Sequence, residues 1–149
     1  MKVRDIMTAS VDSIESSDTI AYAALRMAED DVGALPILSS GELVGIVTDR
    51  DITVRGVALG VKADTPIHRI MTEEVATCSP DDDIETALLL MGREQIRRMP
   101  VCDDRNRLVG IVALSDLADH DPDKKEVTET LADICEPSGM HCQAPLFAG

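Results

Sequence analysis

Apolar positions along this chain follow two rhythms, and the switch between them marks its elements. Ile20, Ala23, Ala24 and Met27 keep the i, i+3, i+4, i+7 spacing of an amphipathic helix, and so do Ile84, Ala87, Leu88 and Met91. Polar residues precede each run, Ser17-Asp18 in one case and Asp81-Asp82-Asp83 in the other. Their oxygens can accept from the free N–H groups of a helix start, and their charge suits its positive end. After each helix come short β-rich runs: Leu35 to Leu38 with Leu43 to Thr48, and Met99 to Cys102 with Leu108 to Val112. A second helix is predicted from near Asp49 in the first half and near Ser115 in the second. Each half therefore reads β-α-β-β-α.

The two halves are copies. Met7-Thr8, Val11, Ile20, Ala23, Leu25, Met27 and Pro36 return 64 positions later as Met71-Thr72, Val75, Ile84, Ala87, Leu89, Met91 and Pro100. Leu43-Val44-Gly45-Ile46-Val47 returns as Leu108-Val109-Gly110-Ile111-Val112, and Asp51 as Asp116, now 65 positions later. The extra residue falls within a polar, turn-like stretch, Asp103 to Arg107 against Ser39 to Glu42, as expected of a hairpin loop. One such unit has too few elements to cover both faces of its sheet, so the two are expected to pack sheet to sheet as one α+β domain. The division is residues 1–59 for repeat 1, 60–66 for the linker, 67–118 for repeat 2 and 119–149 for a C-terminal tail. The connection begins to loosen at Gly56, and the tail carries one helical stretch, Glu126 to Ile134, before an irregular end marked by Pro137, Gly139 and Pro145. The helix bearing Leu88, Leu89, Leu90 and Met91 is apolar on more than one face. Either a wide internal core or a homodimer interface would use the excess.

Composition narrows the function classes. Fourteen Lys and Arg against 28 Asp and Glu give a net charge of −14, which repels nucleic acids and anionic membranes. Trp is absent and there is one Tyr and one Phe, so bases find no stacking platform and must lie between aliphatic side chains. No apolar run approaches the roughly 18 residues of a membrane span, and the N-terminus lacks a secretion signal, so a soluble cytoplasmic protein is expected. The four cysteines form no Cys-x-x-Cys pair and are expected to be reduced thiols. Cys135, His141 and Cys142 cluster near the C-terminus but lack paired metal-ligand spacing, and no metal is expected to be part of the site.

The duplicated pattern resembles a pair of cystathionine-β-synthase-type (CBS) repeats, a Bateman module, as found in standalone bacterial proteins. The resemblance covers residues 3–118. It rests on Asp5-Ile6-Met7-Thr8 and Arg69-Ile70-Met71-Thr72, on Leu35-Pro36-Ile37 and Met99-Pro100-Val101, and on Gly45-Ile46-Val47-Thr48-Asp49-Arg50-Asp51. In that family a Gly-x-x-Thr/Ser-x-x-Asp segment holds the ribose and phosphate of an adenine nucleotide, which here implies Gly45, Thr48 and Asp51. The chemistry suits the role: glycine for close approach, a hydroxyl and N–H groups for phosphate, a carboxylate for a ribose diol. The same Thr-x-x-Asp spacing is also how a helix closes its own N-terminus, and both readings stand.

The family crosses the motif of one repeat with the opening and second strand of the other. The resemblance thus implies that Thr72, Ala76, Thr77, Met99, Pro100 and Val101 complete the Asp51 pocket, with Arg97 and Arg98 meeting phosphate through paired guanidinium donors. Arg50 and Lys62 are supplementary candidates. A second, weaker pocket is implied at Thr8, Ser10, Val11, Ser13, Leu35, Pro36, Ile37, Ser115 and Asp116, where Ala113 replaces the motif threonine and Gly33-Ala34 replace the Arg pair.

The expected function is regulatory adenine-nucleotide binding, for energy or redox sensing, with a change of conformation on binding. The ligand class is AMP, ADP or ATP, with NAD(H) and S-adenosylmethionine sharing the adenosine portion, and the regulated protein is unknown. A ligand-free dimeric interaction scaffold is the alternative. No catalytic constellation is legible, so no enzyme activity is expected. A thiol or metal sensor built on Cys135, His141 and Cys142 is a third reading.

Overall fold

The structure, a computed structural model, describes residues 1–120 and 125–135. Helices and strands mix in an α+β arrangement, and the chain divides into two compact units. Residues 12–75 form one unit, while residues 1–11 join the chain from Ala76 onward in the other. Each unit thus contains the opening segment of the opposite repeat.

In the 12–75 unit, β1 (Ile14–Glu15) runs parallel to β2 (Ala34–Ser39), which pairs antiparallel with β3 (Glu42–Thr48). The β2–β3 loop is the two-residue turn Ser40-Gly41, both at positive φ (53° and 82°), the backbone that a tight hairpin needs. Helix α1 (Ile20–Asp30) buries Ile20, Ala23 and Met27 against this sheet, whereas Ala24 faces solvent. Its cap is Thr19, whose Oγ1 accepts from the Tyr22 N–H at 3.1 Å, in place of the predicted Ser17-Asp18. Asp18 instead turns back to accept from the Glu15 N–H at 2.8 Å. The opening of repeat 2 closes this core: Ile67 and Ile70 are buried among Ile14, Leu35, Ile37 and Val47. The predicted second helix exists as a single turn, α2 (Asp49–Asp51), which widens at once into a π-helical turn over Ile52–Gly56.

The other unit repeats this plan with one loss. Helix α3 (Ile84–Glu94) packs on the hairpin of β4 (Arg98–Cys102) and β5 (Leu108–Ala113), followed by α4 (Leu114–Ala118). The predicted first strand is reduced to one bridge, between Cys78 and Val101. Chemistry explains the difference. In the first repeat the Ser16 N–H continues the ladder to the Leu38 carbonyl at 2.9 Å, but the corresponding residue is Pro80, which has no N–H to donate. The predicted Asp81-Asp82-Asp83 cap is also different: Asp83 makes no cap bond and instead meets Lys2 Nζ at 2.9 Å, which holds its carboxyl below the usual range. The one-residue insertion lies in the β4–β5 loop, where Asp103 Oδ1 accepts from the N–H groups of Arg105 and Arg107, each at 2.9 Å.

The tail helix packs against this unit's core. Helix α5 (Lys125–Cys135) lies on α3, with Val127 and Ile134 packed among its apolar residues. Thr130 is buried and donates to the Leu88 carbonyl at 3.3 Å, and Gln95 Nε2 donates to the Asp133 carbonyl at 3.0 Å. Part of the apolar excess on α3 is therefore covered from within the chain. Leu89 remains 75% exposed.

Candidate functional site

The Asp51 site grows from the end of β3. Thr48 stands at the junction with extended backbone, and its Oγ1 accepts from the Asp51 N–H at 3.0 Å. Asp51 Oδ2 returns the bond by accepting from the Thr48 N–H, also at 3.0 Å. The reciprocal cap foreseen from the spacing is formed, and it uses only one carboxylate oxygen. Asp51 is 1% exposed, and its Oδ1 has no hydrogen-bond partner. Buried polar atoms left without a partner are uncommon and costly, particularly on a charged group.

Replacing Thr48 with Ala removes one of the two cap bonds. About 1 kcal/mol of stability should be lost, seen as a lower thermal midpoint; an unchanged midpoint would mean that the cap contributes nothing in solution.

The opening of repeat 2 crosses directly over the motif. Ile46 and Thr72 exchange both backbone bonds, at 3.0 and 2.8 Å. Gly45 lies beneath this crossing: a Cβ there would stand 2.5 Å from Met71 Sδ and 2.9 Å from the Thr72 carbonyl oxygen. What approaches this glycine closely is the protein's own chain. The other unit has the same device, with Thr8 and Ile111 exchanging bonds at 2.9 Å and Gly110 facing Met7 Sδ and the Thr8 carbonyl.

One further residue of this site escaped sequence reasoning. Arg55, in the π-helical turn, places Nε 3.9 Å from Asp51 Oδ1 and Nη1 3.4 Å from Thr72 Oγ1 and 3.5 Å from the Ile70 carbonyl oxygen. Its i, i+4 relation to Asp51 was the available signal. Arg50 and Lys62, the supplementary candidates, are exposed and have no ion pair among the described residues.

Of the sequence candidates, Gly45, Thr48, Asp51 and Thr72 come together in the 12–75 unit. Ala76, Thr77, Arg97, Arg98, Met99, Pro100 and Val101 belong to the other unit. There Met99 and Val101 are fully buried in the core, so their side chains are already committed. Arg97 and Arg98 are exposed without an ion pair among the described residues, and Arg97 edges a shallow cavity of about 320 Å³ beside Ser115 and Leu131.

For the second motif, Thr8, Ser10, Val11, Ser115 and Asp116 share one unit, whereas Ser13, Leu35, Pro36 and Ile37 lie in the 12–75 unit. Leu35 and Ile37 are core residues there. Asp116 Oδ2 accepts from the Ala113 N–H at 3.2 Å, but alanine has no hydroxyl to return the bond. This half-buried carboxylate contrasts with Asp51.

Among the described residues no group of three or more His, Cys, Asp and Glu is arranged to hold a metal, and no helix is long and apolar enough to cross a membrane. Cys135 is an exposed free thiol, while His141 and Cys142 lie outside the described residues. Cys78 and Cys102 are buried free thiols, and burial pushes Cys78 up to about 12. In a Cys142→Ser background, a native thiol titration near pH 8 is expected to modify Cys135 alone, with Cys78 and Cys102 reacting only after denaturation. Rapid native reaction of three thiols would show that the β4 core opens readily.

The CBS-domain family model matches residues 3–56 and 67–123, and the chain belongs to that family. It is 40% identical over 132 residues to the CBS domain-containing protein YhcV of Bacillus subtilis, covering 89% of this chain and 94% of that one. The crystal structure of Hypoxic Response Protein I with two coordinated zinc ions superimposes with a TM-score of 0.75 at 37% identity, covering 80% of this chain and 98% of that one. The CBS domain pair of protein MJ0100, in complex with 5'-methylthioadenosine and S-adenosyl-L-methionine, gives a TM-score of 0.71 at 31% identity, with coverage of 80% and 98%.

Proposed function

We propose that this CBS-domain protein is a regulatory module that binds an adenosine-containing ligand, with the ribose diol on Asp51. The carrying observation is the free, buried Oδ1 of that carboxylate, next to an Oδ2 already used by the Thr48 cap. A diol offers two O–H donors to such an acceptor, and charged hydrogen bonds of this kind are strong. The ligands of MJ0100 share the adenosine portion, which supports placing the same chemistry here. AMP, ADP, ATP, NAD(H) and S-adenosylmethionine all carry it, and the proposed role is cytoplasmic energy or redox sensing without catalysis. A ligand can drive such a response only through different affinities for two arrangements of the chain. Calorimetric titration with adenosine, AMP, ATP, NAD and S-adenosylmethionine tests the reading; no heat from any of them would remove it.

A dimeric interaction scaffold is the second reading, favoured by Leu89, a large apolar side chain 75% exposed on α3. It requires a self-associating protein with no adenosine ligand. Sedimentation of the wild type and of Leu89→Lys, beside the titration, separates the two readings.

A further inference from the structure

We infer that Arg55 gates the Asp51 site, its guanidinium lying against the carboxylate oxygen that ligand donors must reach. The inference rests on the adenosine reading above and concerns what has to move for binding to occur.

Asp51 Oδ1 is the acceptor that the ligand needs, yet it is sealed from solvent and has no hydrogen-bond partner. Arg55 is the cation beside it, about one-third exposed and anchored at its outer end on Thr72 Oγ1 and the Ile70 carbonyl. All three approaches are long: 3.9 Å to Oδ1, 3.4 Å to the hydroxyl and 3.5 Å to the carbonyl. The guanidinium therefore offsets the buried charge without satisfying the oxygen. Such a side chain is placed to leave. Its partners, a carboxylate, a hydroxyl and a carbonyl oxygen, all belong to the protein and are reached through Nε and Nη1 alone. It also stems from a π-helical turn, a backbone irregularity often associated with functional sites.

Removing the guanidinium has two linked consequences. The empty protein loses the countercharge of a buried carboxylate and becomes less stable, while a ligand diol no longer competes for Asp51 and binds more tightly. A purely structural arginine would give only the first effect.

The test is calorimetric titration of wild type, Arg55→Met and Arg55→Lys with adenosine and with AMP, beside thermal denaturation with and without ligand. Methionine keeps the apolar stem, and lysine keeps the charge if the methionine variant folds poorly. Arg55→Met should bind adenosine and AMP each about tenfold more tightly, from a lower ligand-free thermal midpoint, with Arg55→Lys in between. Unchanged or weaker adenosine binding overturns the gate, and a loss confined to AMP overturns it by making Arg55 a phosphate contact. In both cases wild-type binding leaves the adenosine reading standing. No binding by any of the three proteins removes that reading and the gate with it.

Discussion

Asp51→Ala is expected to weaken adenosine-ligand binding by roughly ten- to a hundredfold, the equivalent of about 1.5–3 kcal/mol for the charged hydrogen bonds it would remove. Oδ2 of this carboxylate closes the helix cap, while Oδ1, which has no hydrogen-bond partner, is the proposed ligand acceptor. Alanine removes both, so loss of binding could follow from a frayed α2. Asp51→Asn separates them. The amide retains one acceptor, which can close the cap, and places a donor where the ligand diol needs an acceptor. Titration should find Asn nearly as damaging to affinity as Ala while its thermal midpoint stays closer to wild type. Full affinity in Asp51→Asn would mean that the cap alone matters and that the diol binds elsewhere.

Gly45→Val is expected to give the largest loss of stability, on the order of 1–3 kcal/mol. Met71 Sδ ends a flexible side chain and can swing away from an added Cβ, but the Thr72 carbonyl, 2.9 Å from that position, is backbone. Relieving the overlap would pull Thr72 from Ile46, with which it shares two bonds, and disturb Ile67 and Ile70 in the core. The cost should appear in chemical denaturation as a lower midpoint. A stable Gly45→Val protein would show that the crossing segment has freedom to retreat.

Much of this architecture was legible because it is written twice. The helix spacing located α1 and α3, and the change of offset from 64 to 65 placed the extra residue in the β4–β5 loop. The Thr48–Asp51 spacing announced a reciprocal cap. Single-residue effects were harder to see. Thr19 outcompetes Ser17-Asp18 because it stands directly before the first helical residue, and Asp83 is drawn away by Lys2, a partner far along the chain. Pro80 ends a strand whose apolar pattern survives. Helix α5 was foreseen as tail structure, but its burial on α3 depends on Thr130 and Gly92, neither of which carries a periodic signal. Arg55 was overlooked because motif matching stopped at Asp51, whereas the geometry continues one turn further.

The most direct test is thermal denaturation of the purified protein against adenosine, AMP, ADP, ATP, NAD and S-adenosylmethionine, with Asp51→Asn alongside. A ligand at 100 times its dissociation constant adds about 2.7 kcal/mol to stability. At least one adenosine ligand should therefore raise the midpoint by several degrees in the wild type and lose most of that effect in the variant. Equal shifts in the two proteins, or none in either across the panel, would contradict an adenosine site on Asp51.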